Sequence, residues 1–377
     1  MMALLFLISF LTLAYIYVGY PLLVCLLARL FGREPHAADI TPSVSLLIAA
    51  FNEEAHIDAK LRNSLALDYP RDRLEIVVAS DGSTDGTNAI VERFRAQGVT
   101  RLAMRDHVGK ASLLSRTVPL VQGEILVFSD ASSELEPQAL RLLVRRFADS
   151  RVGCVSGLYC VKPTGDVRGA GEGLYWRYET FLKRQESHLH SILGAHGAFY
   201  AIRKALFERL ADASVNDDYL IPMRIVAHGE RAVYEPAAVC WEAESSVSMR
   251  GEFSRRRRIA SGNCQQIMTL RRMLHPRYGW VAFCFFSHKV LRTLAPLCLV
   301  SCLLSSFWLP ARWAGVALSL QGLLYTSAFA GYLCQRGDRP SRVLSAPFYF
   351  CFGNLAMLSG LWRYCVHRRR PVWERAR

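Results

Sequence analysis

The sequence predicts an α/β protein, a doubly wound sheet of buried parallel strands flanked by membrane-spanning helices. Three observations carry this reading. Residues 1–28 contain no charged side chain, Arg29 being the first. Short apolar runs at 43–50 (SVSLLIAA), 75–80 (EIVVAS) and 124–129 (EILVFS) lack the polar alternation of half-exposed strands. Three more apolar stretches, 291–309, 313–334 and 343–362, follow the soluble-looking middle.

The first stretch exceeds the roughly 20 residues that cross a bilayer, and it lacks the basic n-region of a signal peptide. Arg29 and Arg33 follow it, so the positive-inside bias puts the next segment in the cytoplasm. Composition agrees: 51% of the 377 residues are hydrophobic and the net charge is +14, a balance carried by arginine, with only six lysines. The eleven cysteines are scattered without a CxxC pair, which reads as reduced thiols rather than a disulfide framework or a zinc site.

In the middle, amphipathic stretches at 54–66, 86–97 and 110–120 alternate with the three apolar runs, the pattern of βαβ units. Ligands of such sheets bind beyond the carboxyl ends of the strands. Those ends read Phe51-Asn52-Glu53-Glu54, Ser80-Asp81-Gly82-Ser83-Thr84-Asp85 and Ser129-Asp130-Ala131-Ser132-Ser133. Each aspartate alone suits a turn or a helix cap. Three strand ends bearing carboxylates at one rim point to a site. An amphipathic helix is expected over about 247–274, with four consecutive arginines at 255–258. Alone, that run reads as a basic patch facing lipid headgroups. No aromatic-interleaved platform accompanies it, so nucleic acid is not the expected partner. The segment 279–290, with His288 and Lys289, reads as an interfacial helix. The domain division is then 1–28 (membrane helix), 40–246 (soluble domain), 247–290 (interfacial), 291–364 (about three membrane segments) and 365–377 (basic tail). Three crossings after a cytoplasmic domain would put the tail arginines outside. Either the last segment is re-entrant or interfacial, or 279–290 contributes a further crossing.

Over residues 43–265 the ordered motifs AFNEE, SDGSTDGT, Gly109-Lys110-Ala111, SDASS, GAHGAFYAIRK, NDDYLI and RRRRI resemble the inverting family 2 glycosyltransferases of GT-A (Rossmann-like) fold. More narrowly, the chain is similar to the membrane-anchored branch that includes bacterial exopolysaccharide and poly-N-acetylglucosamine synthases. The resemblance implies a nucleotide-sugar donor, usually a UDP-sugar, a lipid-linked or growing saccharide acceptor, and a place in the bacterial inner membrane with the catalytic domain cytoplasmic. It implies that Asn52, Glu53 and Asp81 hold the nucleoside, that Lys110 lies near the nucleotide, and that Asp130 helps bind a divalent cation (Mg²⁺ or Mn²⁺) and the diphosphate. A hard cation wants oxygen ligands, and Ser132 or water completes the set; the family's Asp-x-Asp reads Asp130-Ala131-Ser132 here. Asp218 is the expected base with Asp217 beside it, two adjacent carboxylates raising one pKa. Gly194 and His196 are acceptor-side candidates, and Arg255 and Arg258, one turn apart, are candidates for the diphosphate. The family's Gln-x-x-Arg-Trp is Arg255-x-x-Arg258-Ile259 here, and in processive members the absent Trp supports the acceptor sugar. Transfer of single sugars is therefore the leading expectation. A processive synthase and a non-catalytic scaffold of a polysaccharide-export complex are the alternatives.

Overall fold

The computed structural model describes every residue except 163–168, 212–213, 215, 243–248, 338–340 and 367–377. Most of the basic tail therefore lies outside the described residues. The soluble region is built on one sheet of eight strands: β1 Val44–Ala50, β2 Leu74–Asp81, β3 Val99–Met104, β4 Ile125–Asp130, β5 Ser133–Leu135, β6 Val152–Val161, β7 Phe199–Arg203 and β8 Arg231–Glu242. Their order is β3-β2-β1-β4-β7-β6-β8-β5.

The apolar runs form strands because both sheet faces are covered. Leu46 and Ile48 enter one core with Ile76, Val78, Ile125 and Val127. Leu47 enters the opposite core with Val77, Ala79, Leu126 and Phe128. Burying each such side chain stabilises by about 1.5–3 kcal/mol. The first four strands in the order are parallel, as expected, but the whole sheet is mixed: β7 runs antiparallel to both β4 and β6. Register then sets the rim. Ala49 pairs with Asp130 and Ala50 with Ser80, so Asp81 and Asp130 end up on either side of the β1 terminus.

Among the described residues, four helices are long and apolar enough to cross a membrane: Met2–Phe31, Trp280–Ser306, Ala311–Arg336 and Val343–Val366. The first two pack antiparallel, Ser9 Oγ donating to Ser301 Oγ at 2.9 Å and Tyr15 OH lying 2.7 Å from Ser287 Oγ. Here the sequence reading is corrected on one point: residues 280–290 form no separate helix but the first part of the Trp280–Ser306 helix. Its charges are tolerated because a soluble-domain helix, Gly169–Leu189, supplies partners. His288 Nδ1 meets Glu186 Oε1 at 2.6 Å, and Arg292 donates to Glu179. The expected 247–274 helix runs from Met249 to Thr269. The last apolar helix lies along it, with Phe253 and Phe352 rings 5.6 Å apart and Gly360 pressed on Ala260.

Candidate functional site

At the β1 and β2 ends, two loops lock together through Asn52. Its backbone N–H donates to Ser83 Oγ at 3.1 Å, and its Oδ1 accepts the Thr84 N–H at 2.9 Å. Asn52 adopts a left-handed conformation, φ 54°, which asparagine tolerates better than most residues. The Glu53 N–H donates to Thr87 Oγ1 at 2.8 Å, joining the same loops. Gly82 (φ +66°) is required: a Cβ there would sit 2.6 Å from the Asp106 carbonyl carbon. Asp81 is 1% exposed, and its two carboxylate oxygens accept the N–H groups of Val108 and Gly109, each at 2.8 Å. Asp81 thus holds the loop that delivers Lys110 to the rim, a task its spacing in sequence does not reveal.

Lys110 is the hub of the charged floor. Its Nζ lies 2.9 Å from Asp130 Oδ1 and 3.8 Å from Asp217 Oδ2. Burial opposes its charge, but Asp130 and Asp217 outweigh burial and hold Lys110 firmly protonated. Asp217 and Asp218 open the helix Asp217–Ala227, whose N-cap Asn216 is left-handed at φ 59°. Burial, then the neighbouring Asp217 charge, raises Asp218 to about 6 against the pull of Lys110 and Lys183. Lys183 comes from the Gly169–Leu189 helix, where burial lowers it to about 8, and its Nζ donates to the Gly194 carbonyl. The sequence reading had not included Lys183; nothing near it in sequence marks it.

The acceptor-side candidates surround the same helix start. Gly194 (φ +94°) packs against the Tyr219 ring, where a Cβ would come within 2.5 Å. The Ala195 N–H donates to the Asp218 carbonyl at 2.8 Å, and Gly197 leaves room for the Asp218 carboxylate, 3.1 Å from a Cβ position. His196 is buried, 8% exposed, among the rings of Tyr159, Trp176 and Tyr234. Burial, then Lys183, pushes its pKa well below the usual value, so it is neutral.

The arginine run divides. Arg258 feels the charges of Asp217 and Asp218, although burial and Arg255 depress its pKa. Arg255 is bonded to Glu252 at 2.8 Å and lines a cavity against the membrane helices. Arg255 and Arg258 stay within electrostatic reach of each other, one helical turn apart, with Arg258 the one that feels the Asp217 and Asp218 charges.

Among the described residues no group of three His, Cys, Asp or Glu side chains forms a ready metal cluster. Ser132 Oγ donates to Glu242 Oε1 at 2.8 Å, and Tyr159 OH donates to Glu242 Oε2 at 2.5 Å. Glu242, brought alongside by the Ser133–Glu242 pairing of β5 with β8, sets an acidic group where the second aspartate of Asp-x-Asp is absent. The Asp130 carboxylate, 2.9 Å from the Lys110 ammonium, and the Ser132 hydroxyl are oxygen donors of the kind a small hard cation takes.

The chain as a whole resembles known proteins. The mannosyltransferase PcManGT from Pyrobaculum calidifontis, solved with GDP-Man and Mn²⁺, superposes with a TM-score of 0.73 at 25% identity, covering 97% of this chain and 100% of that one. A beta-monoglucosyldiacylglycerol synthase from Synechocystis is 26% identical over 304 residues, 75% of this chain and 63% of the relative. A poly-beta-1,6-N-acetyl-D-glucosamine synthase from Staphylococcus aureus is 22% identical over 209 residues, 54% of this chain and 50% of the relative. The chain thus spans between half and two thirds of the length of these two curated relatives. The family model described as "Glycosyltransferase like family 2" matches residues 42–262. With more than half its length in that match and a mixed sheet of GT-A type beneath it, the chain belongs to the family 2 glycosyltransferases.

Proposed function

We propose that the chain transfers a single sugar, with inversion, from a nucleoside-diphosphate donor to a lipid-linked or saccharide acceptor at a membrane surface. One observation carries this reading: a carboxylate poised near pH 6, Asp218, stands beside the Lys110–Asp130 pair at the rim of the sheet. In this reading Asn52, Glu53 and the loops fixed by Asp81 form the nucleoside end of the cleft. Asp130 and Ser132 would hold a divalent cation, which supplies charge neutralisation of the diphosphate when bound.

Asp218 accepts the proton of the acceptor hydroxyl. That oxygen bonds to the anomeric carbon from the face opposite the leaving group. The bond from that carbon to the diphosphate breaks, and its electron pair leaves with the nucleoside diphosphate. Lys110 and Arg258 neutralise the charge that develops there. At pH 7 most of Asp218 is ionised, as a base must be. Asp217 contributes by raising Asp218, and Lys183 keeps the rise moderate. Gly194 and His196 shape the acceptor side, His196 as a neutral ring.

The membrane placement rests on the four apolar helices and on Arg29 and Arg33 following the first of them. The catalytic domain then faces the cytoplasm of a bacterial inner membrane. The last apolar helix, pressed along the arginine-bearing Met249–Thr269 helix, is then read as interfacial rather than as a further crossing. Partners in polysaccharide export belong to the same proposal.

The test is release of nucleoside diphosphate from a panel of UDP- and GDP-sugars by the full-length protein in a membrane mimic, with lipid extract as acceptor and with Mg²⁺, Mn²⁺ or chelator. Cation-dependent release from one donor, lost in Asp218→Asn with donor binding retained, is the expected result. A chain that binds no nucleotide sugar would instead be the non-catalytic scaffold.

A further inference from the structure

The helix Ile57–Leu65, which follows β1, sends a lysine into the protein interior. Lys60 is 2% exposed, and the transfer chemistry above makes no use of it. Its Nζ donates to Ser129 Oγ at 2.7 Å, to the Ser133 carbonyl at 2.9 Å and to Ser133 Oγ at 3.0 Å. Ser129 immediately precedes Asp130, and Ser133 immediately follows Ser132. The lysine therefore staples together the two ends of the turn that carries both candidate cation donors. The staple reaches Asp130 itself, because Ser133 Oγ, while accepting from Lys60, donates to the Asp130 carbonyl at 2.7 Å. Ser129 Oγ in turn donates to the Ala198 carbonyl at 3.0 Å, which ties the same turn to the start of β7.

We propose that Lys60 is a positioning residue of the transferase, fixing the turn from Asp130 to Ser133 so that Asp130 and Ser132 meet the divalent cation together. The inference rests on the transferase reading above. Its three hydrogen-bond acceptors are all uncharged, so a carboxylate partner does not explain the burial of this ammonium, which costs free energy. What lysine offers is three donors on one atom, which no uncharged side chain supplies. Burial lowers its pKa to about 8 against the pull of Cys240, Asp130 and Glu134, so at neutral pH the third proton is present. Asn63, one turn further along the same helix, ties down the far end of the segment: its Nδ2 donates to the Leu135 carbonyl at 2.8 Å and its Oδ1 accepts the Leu135 N–H at 2.9 Å. That tie carries no charge and does not touch the Asp130 end, which makes it the control. Position and charge also pull in opposite directions here. As a like charge, Lys60 repels a cation bound at Asp130, so by Coulomb's law its removal alone would tighten cation binding. Loss of the staple would weaken it.

The experiment titrates Mn²⁺ into the full-length protein in uncharged detergent with UDP or GDP present, reading bound Mn²⁺ from the loss of the free-ion paramagnetic resonance signal. Nucleotide affinity in chelator and thermal unfolding are measured on the same samples. Lys60→Met should weaken Mn²⁺ binding by roughly 10- to 100-fold, the usual cost of removing a partner that orients a metal ligand, while nucleotide affinity in chelator changes far less. Asn63→Ala should weaken Mn²⁺ binding less than Lys60→Met does. Should Lys60→Met fail to fold, Ser133→Ala takes its place: it keeps the buried charge, removes the hydroxyl between Lys60 and the Asp130 carbonyl, and should weaken Mn²⁺ binding several-fold. Mn²⁺ binding that is tightened or unmoved in the variant read, that falls only in step with nucleotide affinity in chelator, or that falls as far in Asn63→Ala would overturn the proposal. A parent chain that binds neither nucleotide, with Mn²⁺ or with chelator, would sink the transferase reading and this inference with it. A parent that binds one of them, with Lys60→Met behaving as the parent does, would sink the role of Lys60 alone.

Discussion

The two halves of the proposed cleft, the one we assign to the donor and the one we assign to the acceptor, are built by different means. On the donor side, carboxylates and amides at the β1 and β2 ends are held by backbone groups of loops next to them: Asp81 by Val108 and Gly109, Asn52 by Thr84. On the acceptor side, the chemistry depends on charges carried in from distant helices. Lys183 tempers Asp218, and Glu186 accepts from Tyr20 at 2.6 Å while meeting His288. A site of the first kind survives local changes elsewhere. One of the second kind fails when helix docking fails, so fold and chemistry are coupled there.

The sharpest test of the acceptor half is Asp218→Asn. Loss of a positioned base predicts a fall in turnover of about 10³-fold, within the usual range for general bases, measured as nucleoside diphosphate release. In the unmutated enzyme, activity should rise with pH through about 6, where Asp218 ionises. Stability moves oppositely. The folded pKa lies above the ordinary carboxylate value of about 4, so ionising Asp218 costs folding free energy above pH 6 and nothing below pH 4. Asn should therefore raise the Tm at pH 7.5, and the gain should fade as pH falls from 6 toward 4. A Tm that is lower at every pH would mean that the carboxylate is structurally required.

Next in size is Glu186→Ala, aimed at the docking itself. It leaves His288 and Tyr20 without their shared acceptor in a buried setting, and breaking such an ionic contact costs about 3–5 kcal/mol. Thermal unfolding in one detergent checks it, with Glu186→Gln expected to lose less. Donor affinity should change little if the two halves are as independent as their construction indicates.

Lys110 is where the halves touch, through Asp130 on one side and Asp217 on the other. Lys110→Met should lower kcat/KM by about 10²-fold, the value of a charge-assisted contact to the diphosphate. It should also move the pH–rate limb upward, because Lys110 is one of the groups that lower the Asp218 pKa. Loss of rate with an unmoved limb would confine Lys110 to the donor half.

This division also explains what could be read from sequence. The strands were legible because short runs such as SLLIAA, spaced between amphipathic stretches, fill a core on each face of the sheet. The aspartates were legible because they sit at those strands' ends. Lys183, Glu242 and Trp176 were not: each reaches the site by tertiary packing, and neither period nor spacing marks it. Lys289 misled for a related reason. Its charge within an apolar stretch looked interfacial, until Glu179 and Glu186 of another helix proved to lie beside its own.

The smallest expected effect tests how the acceptor half is aimed. Asn216 holds φ 59° at the start of the helix that presents Asp217 and Asp218, and its carbonyl accepts the Tyr219 N–H at 3.0 Å. A left-handed residue with a Cβ costs about 1–2 kcal/mol, less for asparagine, and glycine pays almost none of it. Asn216→Gly should therefore keep the helix start in place, with stability and turnover within about twofold of the parent once backbone entropy offsets the relieved strain. Asn216→Ala keeps the Cβ, loses the Nδ2 bond to Ile259, and should cost about 1 kcal/mol with a several-fold fall in turnover as the two carboxylates shift. The pair of variants separates conformation from hydrogen bonding. If Gly falls as far as Ala, the Ile259 bond aims the carboxylates; if only Ala falls, the left-handed turn does.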